Sequence, residues 1–228
     1  MMNYSEYEKD KYKSKTLEMK VLDLPFISFF SSRYSMTVKI NAINTYNYSK
    51  KNNIPFFNLT LGCLLEVINE IPEFKRRIIK DKIIEYEKIN AVTPILQKDN
   101  SIREIEIVPI SNFENFNKWN EYVQFKKKNI EELQYKINAS NREEEPIANF
   151  SCIPWINFES MTNVTFSSHQ IMPCISWGKL TDDKISISLT ANHNFIFGIH
   201  FKLFFENVEK YLCNPQLLVE KKKKNNII

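Results

Sequence analysis

Phe150-Ser151-Cys152-Ile153-Pro154-Trp155 and, about forty residues further on, Asn192-His193-Asn194-Phe195-Ile196-Phe197-Gly198 decide what this chain can be. The second segment sets a histidine five residues ahead of a glycine. That is a base titrating near neutrality followed by a backbone position that tolerates unusual φ. The first segment ends an apolar run on Ser151, whose hydroxyl can donate to a developing oxyanion. Base and oxyanion donor are together what acyl transfer requires. A His-x4-Gly spacing alone arises by chance in 228 residues with three histidines and three glycines, so the companion segments carry the argument.

Working outward, Met36, Val38, Ile40 and Ala42 share one face at period two, which predicts a strand over 34–43. Leu61, Leu64, Leu65 and Ile68 fall at helical spacing within 58–69, and Pro72 stops that helix. Short β-like runs at 83–86, 93–97 and 104–109, with Asp99-Asn100-Ser101 as a turn, predict a meander or hairpin. Phe116, Trp119, Val123, Ile130 and Leu133 mark one face of a helix over about 115–136, which the polar stretch 138–146 ends. Strands follow at 148–152, 174–179 and 185–193, with a loop over 159–170 between them. A last amphipathic helix, from 200 to about 213, turns Phe201, Phe204, Phe205 and Val208 inward before Pro215. No internal repeat is visible.

A chain of this length forms one domain with a sizeable core. The expected division is a polar N-terminal extension at 1–19, a single domain at 20–215 and a basic tail at 216–228, where Lys221 to Lys224 read as a solvated end. Net charge is +4, from 31 basic and 27 acidic residues spread along the chain, which argues against a nucleic-acid partner. The first twenty residues hold no apolar core, so neither a signal peptide nor a membrane partner is expected. Cys63, Cys152, Cys174 and Cys213 lack metal-ligand spacing, so free and mostly buried thiols, no metal and a reducing cytoplasm follow. Two of the three glycines, Gly178 and Gly198, fall within the singled-out segments, where a sharp turn or a close approach is expected.

These segments resemble those of chloramphenicol acetyltransferases, whose active-site pattern reads His-His-x-x-x-Asp-Gly. Asn192 to Gly198 occupies that pattern, with Ile199-His200-Phe201 after it. Tyr34-Ser35-Met36-Thr37-Val38-Lys39 resembles the family's first strand, and Ile71-Pro72-Glu73-Phe74-Lys75-Arg76 the end of its first long helix. Ser151 to Trp155 resembles its Ser-x-x-Pro-Trp strand, and Ser176-Trp177-Gly178-Lys179 its coenzyme-side strand. All five follow in the family's order, across about 20–213.

The resemblance implies an α/β two-layer sandwich, a large mixed β-sheet with helices packed on one face, assembled as a homotrimer with the site between subunits. It implies O-acetylation of a small-molecule hydroxyl acceptor, chloramphenicol among the candidates, with acetyl-CoA as co-substrate and direct transfer in a ternary complex. His193 would be the general base and Ser151 the oxyanion donor. Phe26 falls on the acceptor side, and Ser176 stands where the family places a water-orienting threonine. Lys179 and Trp155 fall on the coenzyme side, although Trp155 also has a plain packing role at the strand end. Each residue has a duller reading: His193 as a satisfied strand-end residue, Ser151 bonded only to backbone, Lys179 as a solvated edge. His200 reads as a cap or packing residue at the helix start, and His169 as an exposed loop residue.

The chain departs from the family's pattern at several places. Phe197 stands in place of the aspartate, and Met19 in place of its arginine partner. Replacing both halves of a buried ion pair by apolar groups is often neutral, so Phe197 is expected to pack against Met19, Val21 or Leu22. Asn192 replaces the first histidine, and Ser101-Ile102-Arg103-Glu104 replaces an aromatic wall, which suits a nitrophenyl ring less; Phe29 and Phe30 could compensate. The Phe197 substitution motivates a rival, a catalytically silent relative acting as a ligand-binding or structural protein. A dihydrolipoamide acyltransferase core is disfavoured, because no lipoyl domain or Ala/Pro-rich linker precedes the core.

Overall fold

Ile185-Ser186-Ile187-Ser188-Leu189-Thr190-Ala191-Asn192 alternates apolar and polar without interruption, and this run is the inner strand around which the molecule is built. The computed structural model describes residues 4–134, 142–165, 167 and 170–220. Its strands are β1 (Ser14–Lys20), β2 (Arg33–Asn41), β3 (Arg76–Ile79), β4 (Lys82–Tyr86), β5 (Asn90–Leu96), β6 (Ile102–Ile107), β7 (Ile147–Cys152), β8 (Cys174–Trp177) and β9 (Lys184–Asn192). Six of them form a mixed sheet in the order β2-β9-β8-β7-β5-β6. β5, β7 and β8 run parallel to one another, while β2 and β8 flank β9 antiparallel and β6 closes a hairpin on β5.

The helices are α1 (Ile43–Lys51), α2 (Phe56–Glu70), α3 (Phe116–Lys128), α4 (Ile130–Leu133), α5 (Gly198–Cys213) and α6 (Pro215–Val219). Ile185, Ile187, Leu189 and Ala191 belong to the same core cluster as Leu61, Leu64, Leu65 and Ile68 of α2 and Phe201, Phe204 and Val208 of α5. A two-layer α/β sandwich results, as the resemblance implies. Gly62 admits the ring of Trp119 against α2, since a Cβ there would lie 3.1 Å from it. Trp119 in turn donates its indole N–H to the Val108 carbonyl at 2.7 Å.

β9's other face carries Ser186, Ser188 and Thr190, and a strap formed by residues 156–163 crosses it. Ser186 donates to the Phe158 carbonyl at 2.5 Å and Ser188 to that of Met161 at 2.8 Å. Asn163 bridges Thr190 Oγ1 and Ser176 Oγ at 2.8 and 2.6 Å. The polar half of the alternation is thus satisfied by a covering loop rather than by water.

Several expectations change. The single helix over 115–136 is two, because the chain leaves helical geometry at Asn129 between α3 and α4. β1 lies inside the stretch read as an extension: it pairs with β4 in a small sheet ordered β1-β4-β3, and Tyr7 ahead of it stacks on Phe113 at 4.2 Å. α6 occupies the start of the expected tail and buries Leu218, while the lysines 221–224 lie outside the described residues. Among the described residues no helix is long and apolar enough to cross a membrane.

Candidate active site

His193 follows the last residue of β9, and the sequence around it folds into a turn because two asparagines use their amides on backbone and side chain. Asn192 Oδ1 accepts from the Asn194 N–H at 2.9 Å, and Asn192 Nδ2 donates to the Gln170 carbonyl at 3.2 Å. Asn194 Oδ1 accepts from the Phe26 N–H at 2.9 Å, and its Nδ2 donates to Ser32 Oγ at 3.1 Å. The His193 N–H donates to the Ser32 carbonyl at 2.6 Å. The segment 26–32 is thereby clamped to the turn, and Phe26 is laid on the imidazole.

The ring of His193 is half-buried among aromatic side chains. Phe26 stacks on it with centroids 4.2 Å apart and planes at 19°, and Tyr34 lies at 4.5 Å and 31°. Phe197 stands edge-on at 5.2 Å and 62°. Nδ1 lies 3.0 Å from the Ile196 carbonyl oxygen. A carbonyl only accepts, so Nδ1 carries the hydrogen, and in the neutral ring the lone pair lies on Nε2. The same oxygen accepts from the Tyr34 hydroxyl at 2.9 Å. Burial pushes the Tyr34 phenol up to about 12, so this donor keeps its proton through the whole neutral range.

Phe197, expected against Met19, Val21 or Leu22, is partly exposed. The residue is 39% exposed and its aromatic neighbours are His193 and His200, while Met19 and Leu22 are 47% and 87% exposed. The reason is its place at the N-cap of α5, which aims the ring along the helix start toward the imidazole. A phenyl ring cannot cap. His200, three residues on, supplies half of the missing cap through Nδ1, which accepts from the Phe197 N–H at 2.8 Å. Gly198 needs no special conformation: no glycine has positive φ, and a Cβ there meets nothing within 4 Å. The close approach lies at Gly178, where a Cβ would fall 2.8 Å from the Ile156 carbonyl oxygen.

The remaining predicted residues lie elsewhere. Ser151, on β7, pairs with Ser176 on β8, which pairs with Ser188 on β9. Two strand spacings and five residues along β9 then separate Ser151 from His193 in one chain, roughly 19 Å. Among the described residues the Ser151 hydroxyl makes no side-chain hydrogen bond, whereas Ser176 is fully buried with its hydroxyl committed to Asn163. Trp155 is exposed, and the Lys179 N–H donates to the carbonyl of its neighbour Ile156 at 2.8 Å, so both sit at the Ser151 end of the sheet. A cavity of about 220 Å³ adjoins that end, lined by Lys39, Asn157, Thr181, Asp182 and Lys184. Burial pushes the Cys152 thiol up to about 12, with Lys127 pulling the other way. All four cysteines are free, Cys63 and Cys174 buried. His169 lies outside the described residues. Among those described, no group of three His, Cys, Asp or Glu is placed to hold a metal.

Sequence reasoning missed Tyr34 as a donor, Asn194 as the clamp and Asn163 as the partner of Ser176. Asn194 carried a usable signal, an asparagine two residues past the end of β9, where such side chains close turns.

A six-stranded mixed sheet under helices, with an imidazole at the mouth of an inner strand, is a fold shared with acyltransferases. A solved chloramphenicol acetyltransferase superposes with a TM-score of 0.76 at 21% identity, covering 87% of this chain and all of that one. A truncated catalytic core of the 2-oxoacid dehydrogenase multienzyme complex from Thermoplasma acidophilum superposes with 0.58 at 11% identity, over 88% of this chain and 99% of that one. The chain belongs to the chloramphenicol acetyltransferase family, whose model matches residues 3–209. It is 26% identical over 187 residues to a chloramphenicol acetyltransferase of Staphylococcus aureus, covering 77% of this chain and 83% of the relative. It is 21% identical over 183 residues to one of Bacillus pumilus, covering 76% and 80%.

Proposed function

We propose that this protein transfers an acetyl group from acetyl-CoA to the hydroxyl of a small molecule, with His193 as general base. The observation that carries the proposal is the hydrogen bond from His193 Nδ1 to the Ile196 carbonyl, which fixes the tautomer with a basic Nε2. Nε2 takes the acceptor's O–H proton as the oxygen attacks the thioester carbonyl carbon. The tetrahedral oxyanion accepts a hydrogen bond from Ser151, the C–S bond breaks, and the departing sulfur takes the proton back from the imidazolium. No acyl-enzyme forms. Nothing in this sequence of steps requires a metal.

The roughly 19 Å between Ser151 and His193 within one chain supports a site completed by a second copy, in a homotrimer that sets the His193 end of one subunit against the Ser151 end of the next. Trp155 and Lys179 stand at the Ser151 end, the side given to the coenzyme, near the cavity that Lys39, Asp182 and Lys184 line. Phe26, with Phe29 edge-on at 5.2 Å, gives the acceptor an apolar wall beside the base. The charges at 103–104 are spent internally, Arg103 on Glu131 and Glu104 on Arg142, and chloramphenicol is the first acceptor to try.

Thiol release from acetyl-CoA, with and without chloramphenicol and other alcohols, tests the proposal on wild type and His193→Ala. Removing the base should cost roughly 10²- to 10⁴-fold in kcat. Equal rates would remove His193 from the mechanism. A wild type that releases no thiol with any acceptor would favour the silent relative that Phe197 motivates.

A further inference from the structure

Phe197 holds the N-cap of α5, a position that favours Ser, Thr, Asp or Asn, and a phenyl ring satisfies none of the free N–H groups there. The ring is not bought by core packing either, because more than a third of the residue is exposed. Its aromatic contacts are two imidazoles: His193, edge-on at 5.2 Å, and His200 at 5.9 Å. Phe26 stacks on the His193 ring at 4.2 Å and 19°, Tyr34 lies at 4.5 Å and 31°, and Phe197 meets it edge-on.

We propose that Phe197 is a positioning residue for His193, the third wall of an aromatic enclosure that holds the imidazole in the orientation where Nδ1 meets the Ile196 carbonyl. Two rings lying against the imidazole resist a flip about the Cβ–Cγ bond, which would carry the ring out of its plane, but leave it free to swing by rotation about the Cα–Cβ bond, which would draw Nδ1 off the carbonyl. An edge-on ring on the remaining side blocks that swing. It does so without charge. A carboxylate at the same place would favour the protonated ring and remove the lone pair that a base needs. The titratable groups facing this corner are Tyr34, whose phenol stays protonated, and His200, which has Glu73 at 3.8 Å and, through it, Arg76.

The catalytic consequence rests on His193 being the base, but the positioning does not, so two readouts separate them. Nitrogen-15 spectra of histidine-labelled protein should show His193 in a single Nδ1–H tautomer in the wild type, and a mixture in Phe197→Ala. In the same variant kcat should fall roughly 3- to 10-fold, the range expected for losing one edge-to-face pair, while KM for acetyl-CoA stays within about 2-fold. Phe197→Tyr should restore both signals, and Phe197→Leu, which keeps bulk without a ring, should restore neither. Phe197→Asp should move the acid limb of kcat/KM to higher pH. An unchanged His193 spectrum in Phe197→Ala would overturn the proposal, as would a Phe197→Asp variant faster than wild type. If His193→Ala keeps full activity, the base assignment fails, and the spectra alone still decide whether Phe197 orients the ring.

Discussion

Tyr34 and His193 donate to one oxygen, the carbonyl of Ile196, at 2.9 and 3.0 Å. Both lone pairs of that carbonyl are therefore used, and the turn carrying the imidazole is tied to β2 through the phenol. Tyr34→Phe keeps the ring beside His193 and removes only the donor. The expected cost is about 1 kcal/mol of stability, the net worth of one hydrogen bond. Activity should fall by less than about 10-fold, far short of the loss for His193→Ala. There is also an alkaline signature. The phenol is raised from 10 to about 12 on folding, so its contribution is fully present below the unfolded value and is lost as pH rises toward the folded one. Denaturant titrations between pH 9 and about 12 should show the wild type losing stability more steeply than Tyr34→Phe.

The separation of Ser151 from His193 leads to a complementation test. His193→Ala and Ser151→Ala should each be nearly inactive alone. If every site takes its histidine from one chain and its serine from the next, unfolding and refolding the two variants together in equal amounts restores about a quarter of the sites, by random assortment. A mixture no more active than its components would show that both side chains must come from one chain, or that Ser151 has no part in catalysis.

Cys152 neighbours Ser151 and invites suspicion as a nucleophile. Burial argues otherwise: it holds the thiol near 12 rather than 9, and the thiolate is the reactive form. At pH 8 alkylation of Cys152 by iodoacetamide in the folded protein should be roughly a thousandfold slower than for an exposed thiol. Peptide mapping of the alkylated cysteines reads this directly. Rapid loss of the Cys152 thiol together with activity would bring it into the mechanism.

The sequence carried the fold where hydrophobic period and burial coincide, as in β9, with every apolar residue inward, and in α2, with Leu61, Leu64, Leu65 and Ile68. It hid α1 because that helix buries Thr45 and Ser49 rather than an apolar stripe. It hid β1 because Ser14–Lys20 is nearly all exposed and owes its conformation to pairing with β4. At the site, His193 was legible as a candidate only through the companion segments that accompany its weak spacing signal, and Phe26 from its aromatic neighbours. The distance between His193 and Ser151 was not, since it depends on β9 running against β7 and β8, and strand direction leaves no mark on composition. Ser176 was legible as a match but not as a hydroxyl already given to Asn163, thirteen residues earlier in a strap without periodic signal.

His200 makes the start of α5 sensitive to acid. Its Nδ1 must be unprotonated to accept from the Phe197 N–H, and burial lowers its pKa below 6.5, aided by Arg76 and opposed by Glu73. A histidine depressed on folding contributes stability that is present above its unfolded value and is lost as pH falls through the folded one. The wild-type Tm should therefore drop as the pH is taken from 7 toward 5. Glutamine at the same position of the helix can accept the same N–H without titrating. His200→Gln should match the wild type at pH 7 and lose less between pH 7 and 5, while His200→Ala should be less stable at pH 7 already. Thermal unfolding followed by circular dichroism at four or five pH values distinguishes these outcomes. If Gln and wild type fall in parallel, the acid sensitivity belongs to other groups and the cap at Phe197 is not what His200 supplies.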